Sequence, residues 1–428
     1  MTDTQAINRT RILFCDLLNI ARGKYVSAKY AAGGKAGFAR GVFGTTLDRD
    51  LISVPGIGLY TGIPDMELAF DEQRRIGWVT GTDIALGDLM VDGEPFGLCA
   101  RGQLRRTVKQ WQDSHGLVPK VGIELEAYVF EKDAEGVYRP YDTPGAFVYG
   151  IGPQNDPRGL VDAIWERAHA AGIPIESMNG EFDNGQFELT LAFSDAVEAC
   201  DNAFLARALA KEVALEKGLL LTFLAKPIPE RGGSGVHVNF SFADQDGNNV
   251  IAPQGQLSDV AKGAIAGMMA HHEGLAGLLA TTVNSYDRLM MGSMAGYWCN
   301  WAEDHRMTTV RTSTGSAKSA RLEHRMADGG TNPYLATHAV LQAALLGVDG
   351  QMPLPKPEDL DGLENVRATR HVPANLSKSL DALEADKTLK EAVGELLCDA
   401  LIFLKCDEVK RLDGKTVDEV RDFYLPFI

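Results

Sequence analysis

Acidic, basic and imidazole side chains occur on alternate residues in several short segments of this 428-residue chain. Successive side chains of a β-strand point to opposite faces, so residues two apart share one face. Glu124 and Glu126 would therefore point the same way, with Ile123 and Leu125 packing behind them. Acids inside an apolar run are costly unless a positive charge compensates them, and a divalent metal ion is the simplest compensation. The segments are residues 122–126, 181–188, 233–237 and 321–325.

The donor atoms in these segments are those that a hard cation prefers. Oxygen ligands with a single imidazole and no thiolate favour Mg²⁺ or Mn²⁺ over structural zinc. The donors are Glu124, Glu126, Glu181, Glu188, His237 and Glu323.

Arginines cluster close to Glu323 in the sequence. Their guanidinium groups bind carboxylate and phosphate bidentately, and metal ions, arginines and acids together stabilise a transferring phosphoryl group. The sequence therefore predicts phosphoryl transfer. The arginines are Arg288, Arg306, Arg311, Arg321 and Arg325. The glycines before His237, among them Gly233, would let the backbone approach a small substrate closely.

Each segment taken alone has a simpler interpretation. Glu124 and Glu126 could form the solvated face of an antiparallel strand, and His237 could be a structural histidine with satisfied hydrogen bonds. The alternating charges of residues 321–325 could be a surface ion ladder that contributes little stability.

Short strands separated by turns are expected over residues 1–100, and a mixture of strands and helices beyond them. The expected N-terminal strands are 11–18, 23–26, 75–79 and 85–91, and 35–64 is a glycine-rich stretch without a pattern. The expected later strands are 219–225 and 235–242. The expected helices are 103–115, 195–217 (capped by Ser194 or Asp195 and stopped by Gly218), 332–346, 375–386 and 389–403.

Composition limits the protein class. The net charge of −16 disfavours a nucleic-acid or anionic-membrane partner. Six scattered cysteines without a CxxC pair are typical of reduced thiols in a cytoplasmic protein. Residues 1–6 show no basic segment leading into an apolar run, so no secretory signal is expected, and no segment has the length of a membrane span.

Six motifs in this chain follow the order found in the glutamine synthetase family, which the chain resembles over nearly its whole length. One such motif would be weak, whereas six in the same order are specific. The simpler interpretations would all have to hold at once while reproducing this order. The motifs are GxExE at 122–126, E…GQxE at 181–188, GSGxH at 233–237, NSYxRL at 284–289, RxExR at 321–325 and NPYL at 332–335.

The resemblance implies a ligand set and a nucleotide. One metal ion would be held by Glu126, Glu181 and Glu188, and a second by Glu124, His237 and Glu323. The family uses ATP with two to three Mg²⁺ (or Mn²⁺) ions per active site, and the resemblance implies the same here.

The resemblance also implies roles for the arginines. Arg288 and Arg325 would bind the carboxylates of glutamate, beside Gly233, while Arg311 and Arg321 would bind the ATP phosphates. Arg306 would meet the phosphoryl group, which makes Arg306, Glu181 and Glu188 the implied catalytic residues. Asn239 stands where the family often has a histidine near ATP, and it keeps the capacity to form hydrogen bonds.

Two acids that bind ammonium in glutamine synthetases have no counterpart here. Phe43 stands where the N-terminal aspartate belongs, and residues 290–295 contain no acid. A site without both anions would bind NH₄⁺ poorly, whereas apolar residues suit an organic amine, as in the γ-glutamylpolyamine and γ-glutamylmethylamide branch. The candidates for lining the amine pocket are Phe43, Met294, Tyr297 and Trp298.

The sequence therefore predicts an ATP-dependent ligase that joins the γ-carboxylate of glutamate to an organic amine through γ-glutamyl phosphate, releasing ADP and phosphate. The expected fold is α+β, with a small β-grasp-like domain over 1–100 and a glutamine-synthetase-type catalytic domain over 101–428, containing a curved antiparallel sheet and flanking helices. The resemblance implies a double-ring homo-oligomer, a dodecamer. Three alternatives stay open. The first is a true glutamine synthetase that recruits Asp65 or Glu67 for ammonium, and the second is a non-catalytic assembly or regulatory protein. The third is a ligase whose acceptor carboxylate is not glutamate, which Arg288 and Arg325 disfavour.

Overall fold

The computed structural model describes residues 7–71 and 75–428. Residues 1–6, where no secretory signal is expected, lie outside the described residues. Strands and helices are mixed along the chain, in two separate sheets with helices packed around the larger one. The expected α+β class is confirmed.

The first sheet is built from the N-terminal part of the chain, and its strand order is β2-β1-β6-β4-β3, with β5 and β7 also paired to β6. Strand β1 lies parallel to β6 and antiparallel to β2. Alternate residues of β1, Thr10, Ile12 and Phe14, are buried, as period-two patterning predicts. The strands are β1 (Arg9–Cys15), β2 (Ala21–Ser27), β3 (Lys35–Ala39), β4 (Asp65–Phe70), β5 (Ile76–Val79), β6 (Thr82–Val91) and β7 (Glu94–Pro95).

The second sheet carries the motif segments. Its order is β10-β11-β8-β14-β17-β16-β15, and β9, β12 and β13 also pair with the long central strand β8. All its pairs are antiparallel except that of β15 with β16. The strands are β8 (Val118–Lys132), β9 (Tyr138–Pro140), β10 (Ile175–Gly180), β11 (Gln186–Leu191), β12 (Ser194–Asp195), β13 (Leu219–Thr222), β14 (Val236–Ala243), β15 (Trp301–Glu303), β16 (Val310–Ser313) and β17 (Arg321–His324).

Helices cover the second sheet. Helix α8 starts where Asn332 accepts hydrogen bonds from the Tyr334 and Leu335 amides, with proline at the first helical position. No helix of the described residues is long and apolar enough to cross a bilayer. The helices are α1 (Ala28–Ala31), α2 (Ala100–His115), α3 (Leu160–Ala170), α4 (Ala196–Glu216), α5 (Asp259–Ala270), α6 (His272–Leu279), α7 (Ser285–Arg288), α8 (Pro333–Asp349), α9 (Leu376–Ala385), α10 (Lys387–Val393), α11 (Glu395–Leu412) and α12 (Val417–Tyr424).

Two expected elements were wrong. Residues 35–64 are not a continuous loop, because 35–39 pair with β4 and short 3₁₀ turns form at Arg40–Gly44 and Leu59–Thr61. The expected helix 389–403 is divided between α10 and α11 at Gly394, whose φ of 119° no helical residue adopts. The division of the chain into domains at residue 100 stays a prediction.

The turn after β1 is fixed to the loop that precedes α8. The Asn19 side chain donates to the carbonyls of Gly329 (2.9 Å) and Thr331 (2.7 Å), and Asn332 donates to the carbonyl of Asp16 (2.9 Å). These groups are buried, so the loss of any one of these bonds would leave a desolvated polar group without a partner. The first sheet is therefore held against the loop between β17 and α8.

A buried ion-pair network joins the first sheet to helices α2, α4 and α8. Arg101 binds both carboxylate oxygens of Asp201, at 2.8 and 2.9 Å, and also reaches Asp88 of β6 at 2.6 Å. The Tyr334 hydroxyl donates to Asp201 at 2.7 Å. Asp201 thus accepts hydrogen bonds from both Arg101 and Tyr334, and it is only 4% exposed.

We expect Asp201→Ala to lower the free energy of unfolding by about 3 kcal/mol, since it leaves a buried guanidinium without its principal partner. Urea unfolding followed by far-ultraviolet circular dichroism would measure the loss. Asp113→Ala is the control, because Asp113 pairs with Lys109 only on the surface and should change little. Equal stability of the two variants would contradict the assigned role of Asp201.

Candidate active site

Motif side chains from five neighbouring strands share one face of the second sheet, while Glu181, Arg288 and Arg325 come from segments outside these strands. Antiparallel register sets Glu188 of β11 opposite Glu126 of β8, and His237 of β14 opposite Glu124 of β8. Glu323 of β17 is opposite both Asn239 of β14 and Arg311 of β16. Directly opposed residues on one face have their side chains in contact range, so sequence alternation and strand register together assemble the cluster.

The acids form two groups that could each hold a metal ion. One group is Glu124, His237 and Glu323, and the other is Glu126, Glu181 and Glu188; within each, the ligand atoms lie within 4.8 Å of one another. These are the sets that the resemblance implies. Their oxygen-rich donors fit a hard divalent cation, and in the part of the chain that the structure describes no other such groups of three occur.

His237 connects the two groups. Its Nδ1 lies 2.9 Å from Glu124 Oε2 and 3.5 Å from Glu323 Oε1, while its Nε2 lies 3.5 Å from Glu126 Oε1. Burial and Arg325 would lower the pKa of His237, but the glutamates raise it overall. Burial would raise the pKa of Glu124, but the hydrogen bond and charge of His237 lower it. The imidazole is thus bound among anions.

The second group carries unrelieved negative charge. Burial, followed by the charges of Glu124, Glu181 and Glu126, raises the pKa of Glu188 to about 7. Burial and the charge of Glu126 likewise raise the pKa of Glu181. Like charges that face each other raise carboxyl pKa values, and a bound cation reverses the effect. The electrostatics of this group therefore fit a divalent ion.

The arginines surround these acids. Arg325 and Arg311 both pair with Glu323, the latter at 3.2 Å. Arg321 donates to the Asn239 side chain at 3.1 Å, which in turn donates to Glu124 at 3.1 Å. Asn239 therefore links an arginine to the first acid group by hydrogen bonds.

Arg288 occupies the space that the glycines leave open. A Cβ at Gly235 would lie 2.4 Å from an Arg288 guanidinium nitrogen, and one at Gly233 would lie 2.6 Å from its Cγ. The guanidinium donates to the carbonyls of Met326 (2.8 Å) and Arg325 (3.1 Å). The packing of Arg288 is thus a second reason for glycine at both positions, and close approach of a substrate to these glycines stays a prediction.

A cavity of about 760 Å³ joins these groups, within the size range of small-ligand sites. Several residues of the lining are not among the predicted ones, because no motif position specifies them. Of the predicted residues, those that line the cavity are Glu124, Glu126, Glu181, Glu188, Gly233, His237, Arg288, Met294, Arg306, Arg311, Arg321, Glu323 and Arg325. The others include Tyr149, Phe182, Lys226, Met290 and Met291.

Three predicted pocket residues, Phe43, Tyr297 and Trp298, lie outside the cavity of this chain. Phe43 is 2% exposed and packs against Phe96 and Phe14 in the core of the first sheet, with ring centroids 5.7 and 6.1 Å away. Trp298 packs edge-on against Tyr297 and His371 at 5.0 and 5.7 Å, outside the cavity. Aromatic residues in such positions serve packing first, so Met294 is the predicted amine-pocket residue that lines the cavity.

The chain belongs to the glutamine synthetase family. Residues 97–424 match the family described as glutamine synthetase, catalytic domain. A solved structure described as a novel glutamine synthase homolog superposes with a TM-score of 0.85 at 25% identity, covering 100% of both chains.

Its curated relatives carry more than one activity name. Gamma-glutamylethanolamide synthetase GlnA4 of Streptomyces coelicolor is 32% identical over 82% of this chain and 77% of that protein. Gamma-glutamylputrescine synthetase PuuA of Escherichia coli is 29% identical over 94% and 88%. Glutamine synthetase of Pyrococcus abyssi is 30% identical over 80% and 79%.

We expect Mn²⁺ affinity to rise as pH is raised from about 6 to about 8, because Glu188 must lose its proton to become a ligand. Below a pKa of about 7 the proton competes with the metal ion, and above it the competition ends. Calorimetric titration of the purified protein at both pH values would measure the change.

Glu188→Gln should reduce this pH dependence, with His237 and Glu181 accounting for the remainder. Glu176→Gln, which changes an exposed glutamate of β10 outside the cavity, should leave it unchanged. A Mn²⁺ affinity that is the same at both pH values in the unaltered protein would contradict the interpretation.

Proposed function

We propose that this protein is an ATP-dependent ligase that joins the γ-carboxylate of glutamate to an organic amine. The observation that carries the proposal is the meeting of two acid groups and the motif arginines around one cavity. Acids for metal ions beside guanidinium groups for phosphate and carboxylate suit phosphoryl transfer to a carboxylate acceptor.

The proposed chemistry has two steps. A γ-carboxylate oxygen attacks the γ-phosphorus of ATP, the bond to ADP breaks, and γ-glutamyl phosphate forms. The amine nitrogen then forms the amide bond, phosphate leaves, and the nitrogen releases its proton. Divalent metal ions, when bound, neutralise phosphate charge; two to three Mg²⁺ or Mn²⁺ ions per site are proposed from the family.

Each group of residues would have a distinct task. Glu126, Glu181 and Glu188 would hold one metal ion, and Glu124, His237 and Glu323 the other. The buried Arg288, together with Arg325, would bind the glutamate carboxylates, because their guanidinium groups are fixed by backbone or carboxylate partners and need little reordering. Arg306 would meet the phosphoryl group, and Arg311, Arg321 and Asn239 would bind ATP.

The acceptor is proposed to be an organic amine because the cavity wall next to the acid groups is apolar. Residues 290–295 line the cavity without contributing an acid. The relatives named for ethanolamide and putrescine products support this choice. Phe43 could contribute only across a subunit boundary, if the N-terminal domain of a neighbour reaches this site.

We also propose a double-ring homo-oligomer, a dodecamer, located in the cytoplasm. The family resemblance supports the assembly. The six cysteines, all free, support a reducing compartment.

A glutamine synthetase activity is the second candidate, favoured by the 30% identity to the Pyrococcus abyssi protein. It would require an acid for ammonium. Asp65 and Glu67 lie on β4, and Glu67 pairs with Lys35 at 3.2 Å. Neither lines the cavity of this chain, so a neighbouring subunit would have to supply them.

Phosphate release by the purified protein with ATP, Mg²⁺ and glutamate tests the proposal directly. Ammonia would be compared with a panel of organic amines, with the products identified by mass spectrometry. We expect kcat/KM for at least one organic amine to exceed that for ammonia by at least about tenfold, a difference of about 1.4 kcal/mol. Preference for ammonia would establish the second candidate instead.

We expect Glu323→Ala to abolish amine-dependent phosphate release, because it removes a ligand of one acid group and the partner of two arginines. Size-exclusion chromatography would check that the variant stays assembled. The matched control is Glu176→Ala, whose turnover should equal that of the unaltered protein. Undiminished turnover of Glu323→Ala would contradict the assignment of these residues to the active site.

A further inference from the structure

We propose that the acceptor amine is a primary monoamine with an apolar tail, aliphatic or aromatic, and that Tyr149, Phe182 and the methionines of residues 290–294 contact this tail. The inference rests on the proposed function and adds the substrate class. It comes from side chains that carry no motif but line the same cavity.

Tyr149 is held in an unusual backbone conformation. Its φ is +58°, in the left-handed region that a bulky residue enters only when its surroundings impose it. Its amide donates to the Gly180 carbonyl at 2.8 Å, and the Gly180 amide donates back to Gly150 at 3.3 Å. The loop is thereby paired with the end of β10, one residue before Glu181. The strain places an exposed aromatic ring in the wall of the cavity, next to the second acid group.

Phe182 and the methionines complete this wall. Phe182 is 73% exposed although its backbone amide is fixed to the Glu181 carboxylate at 3.0 Å. Met291 and Met294 are 68% and 52% exposed, and the Met294 carbonyl accepts from Arg325 at 3.3 Å. An exposed apolar group this close to catalytic groups marks a binding surface. Methionines adapt to varied apolar shapes.

The charges around the cavity argue against a second ammonium group on the acceptor. Among described residues, the lining acids are five glutamates, and all five belong to the two metal-binding groups. The distal ammonium of a diamine would therefore move from water into the cavity without gaining a carboxylate partner, and this desolvation is costly. The remaining charged side chains of the lining are positive and would repel it: Lys226, Arg288, Arg306, Arg311, Arg321 and Arg325.

The test compares amines of equal length in the phosphate-release assay with the assembled protein. Butylamine should be used at least tenfold more efficiently than 1,4-diaminobutane, as judged by kcat/KM. Along the series from methylamine to hexylamine, kcat/KM should rise by about fourfold for each methylene buried, and phenethylamine should be among the best acceptors.

Variants distinguish contacts with the amine tail from the phosphoryl-transfer reaction itself. Phe182→Ala should lower kcat/KM for hexylamine by at least tenfold and that for methylamine by less than threefold, with unchanged KM for ATP and glutamate. Tyr149→Ala should act like Phe182→Ala, and Tyr149→Phe, which keeps the ring, should restore most of the kcat/KM for hexylamine. Phe193→Ala is the control, because Phe193 is 70% exposed but lies outside the cavity.

The outcomes distinguish this inference from the proposed function. Preference for 1,4-diaminobutane, or a kcat/KM that does not rise with tail length, would overturn the monoamine inference. The proposed amine ligase activity would still hold. Preference for the diamine would also indicate that a neighbouring subunit supplies an acid. Preference for ammonia, or no turnover with any amine, would overturn the proposed function itself.

Discussion

Mutual repulsion among carboxylates on one face of the large sheet is the constraint on which the rest of the structure depends. Strand register places Glu188 against Glu126 and sets Glu124 beside His237, in a partly buried setting where like charges repel strongly. Such a face can be maintained only if cations are part of the working protein. The arginines on β16 and β17 supply part of the compensation, and the raised pKa of Glu188 shows that a deficit remains.

The two sides of the cavity are built from different kinds of structure. Most of the acids, with Arg311 and Arg321, belong to neighbouring strands, whose ladder hydrogen bonds fix their positions. The apolar wall belongs to the loop containing Tyr149, to Phe182 and to the segment after α7. Loops tolerate sequence change better than a sheet does. The same phosphoryl-transfer site can therefore accompany different acceptors, which fits a family whose members bear different product names.

The regular part of the site could be predicted from the sequence, and the irregular part could not. Alternation in β8 and β17 placed Glu124, Glu126 and Glu323 on one face because strand geometry has a period of two. Nothing local distinguishes Tyr149, since its positive φ is imposed by contacts with β10. Phe43 shows the converse limit: an alignment places a residue in sequence, whereas packing against Phe96 decides where its side chain goes in this chain. Its place in an amine pocket stays a prediction. Patterning predicted strands such as β1, β6, β13 and β14 and helices such as α2, α4 and α8. It did not predict β3, β10 or α5, or the break at Gly394.

The contact of Arg288 with the glycine loop has a consequence for how this protein can evolve. Any side chain at Gly235 would displace the guanidinium, and any shorter residue at 288 would leave a gap beneath the loop. A change at either position alone is therefore disfavoured, because a side chain at Gly235 would push on a guanidinium that is bonded to the carbonyls of Met326 and Arg325. Covariation between positions 235 and 288 across homologues would reveal this packing constraint. The sites at which divergence meets no such barrier are those of the apolar wall.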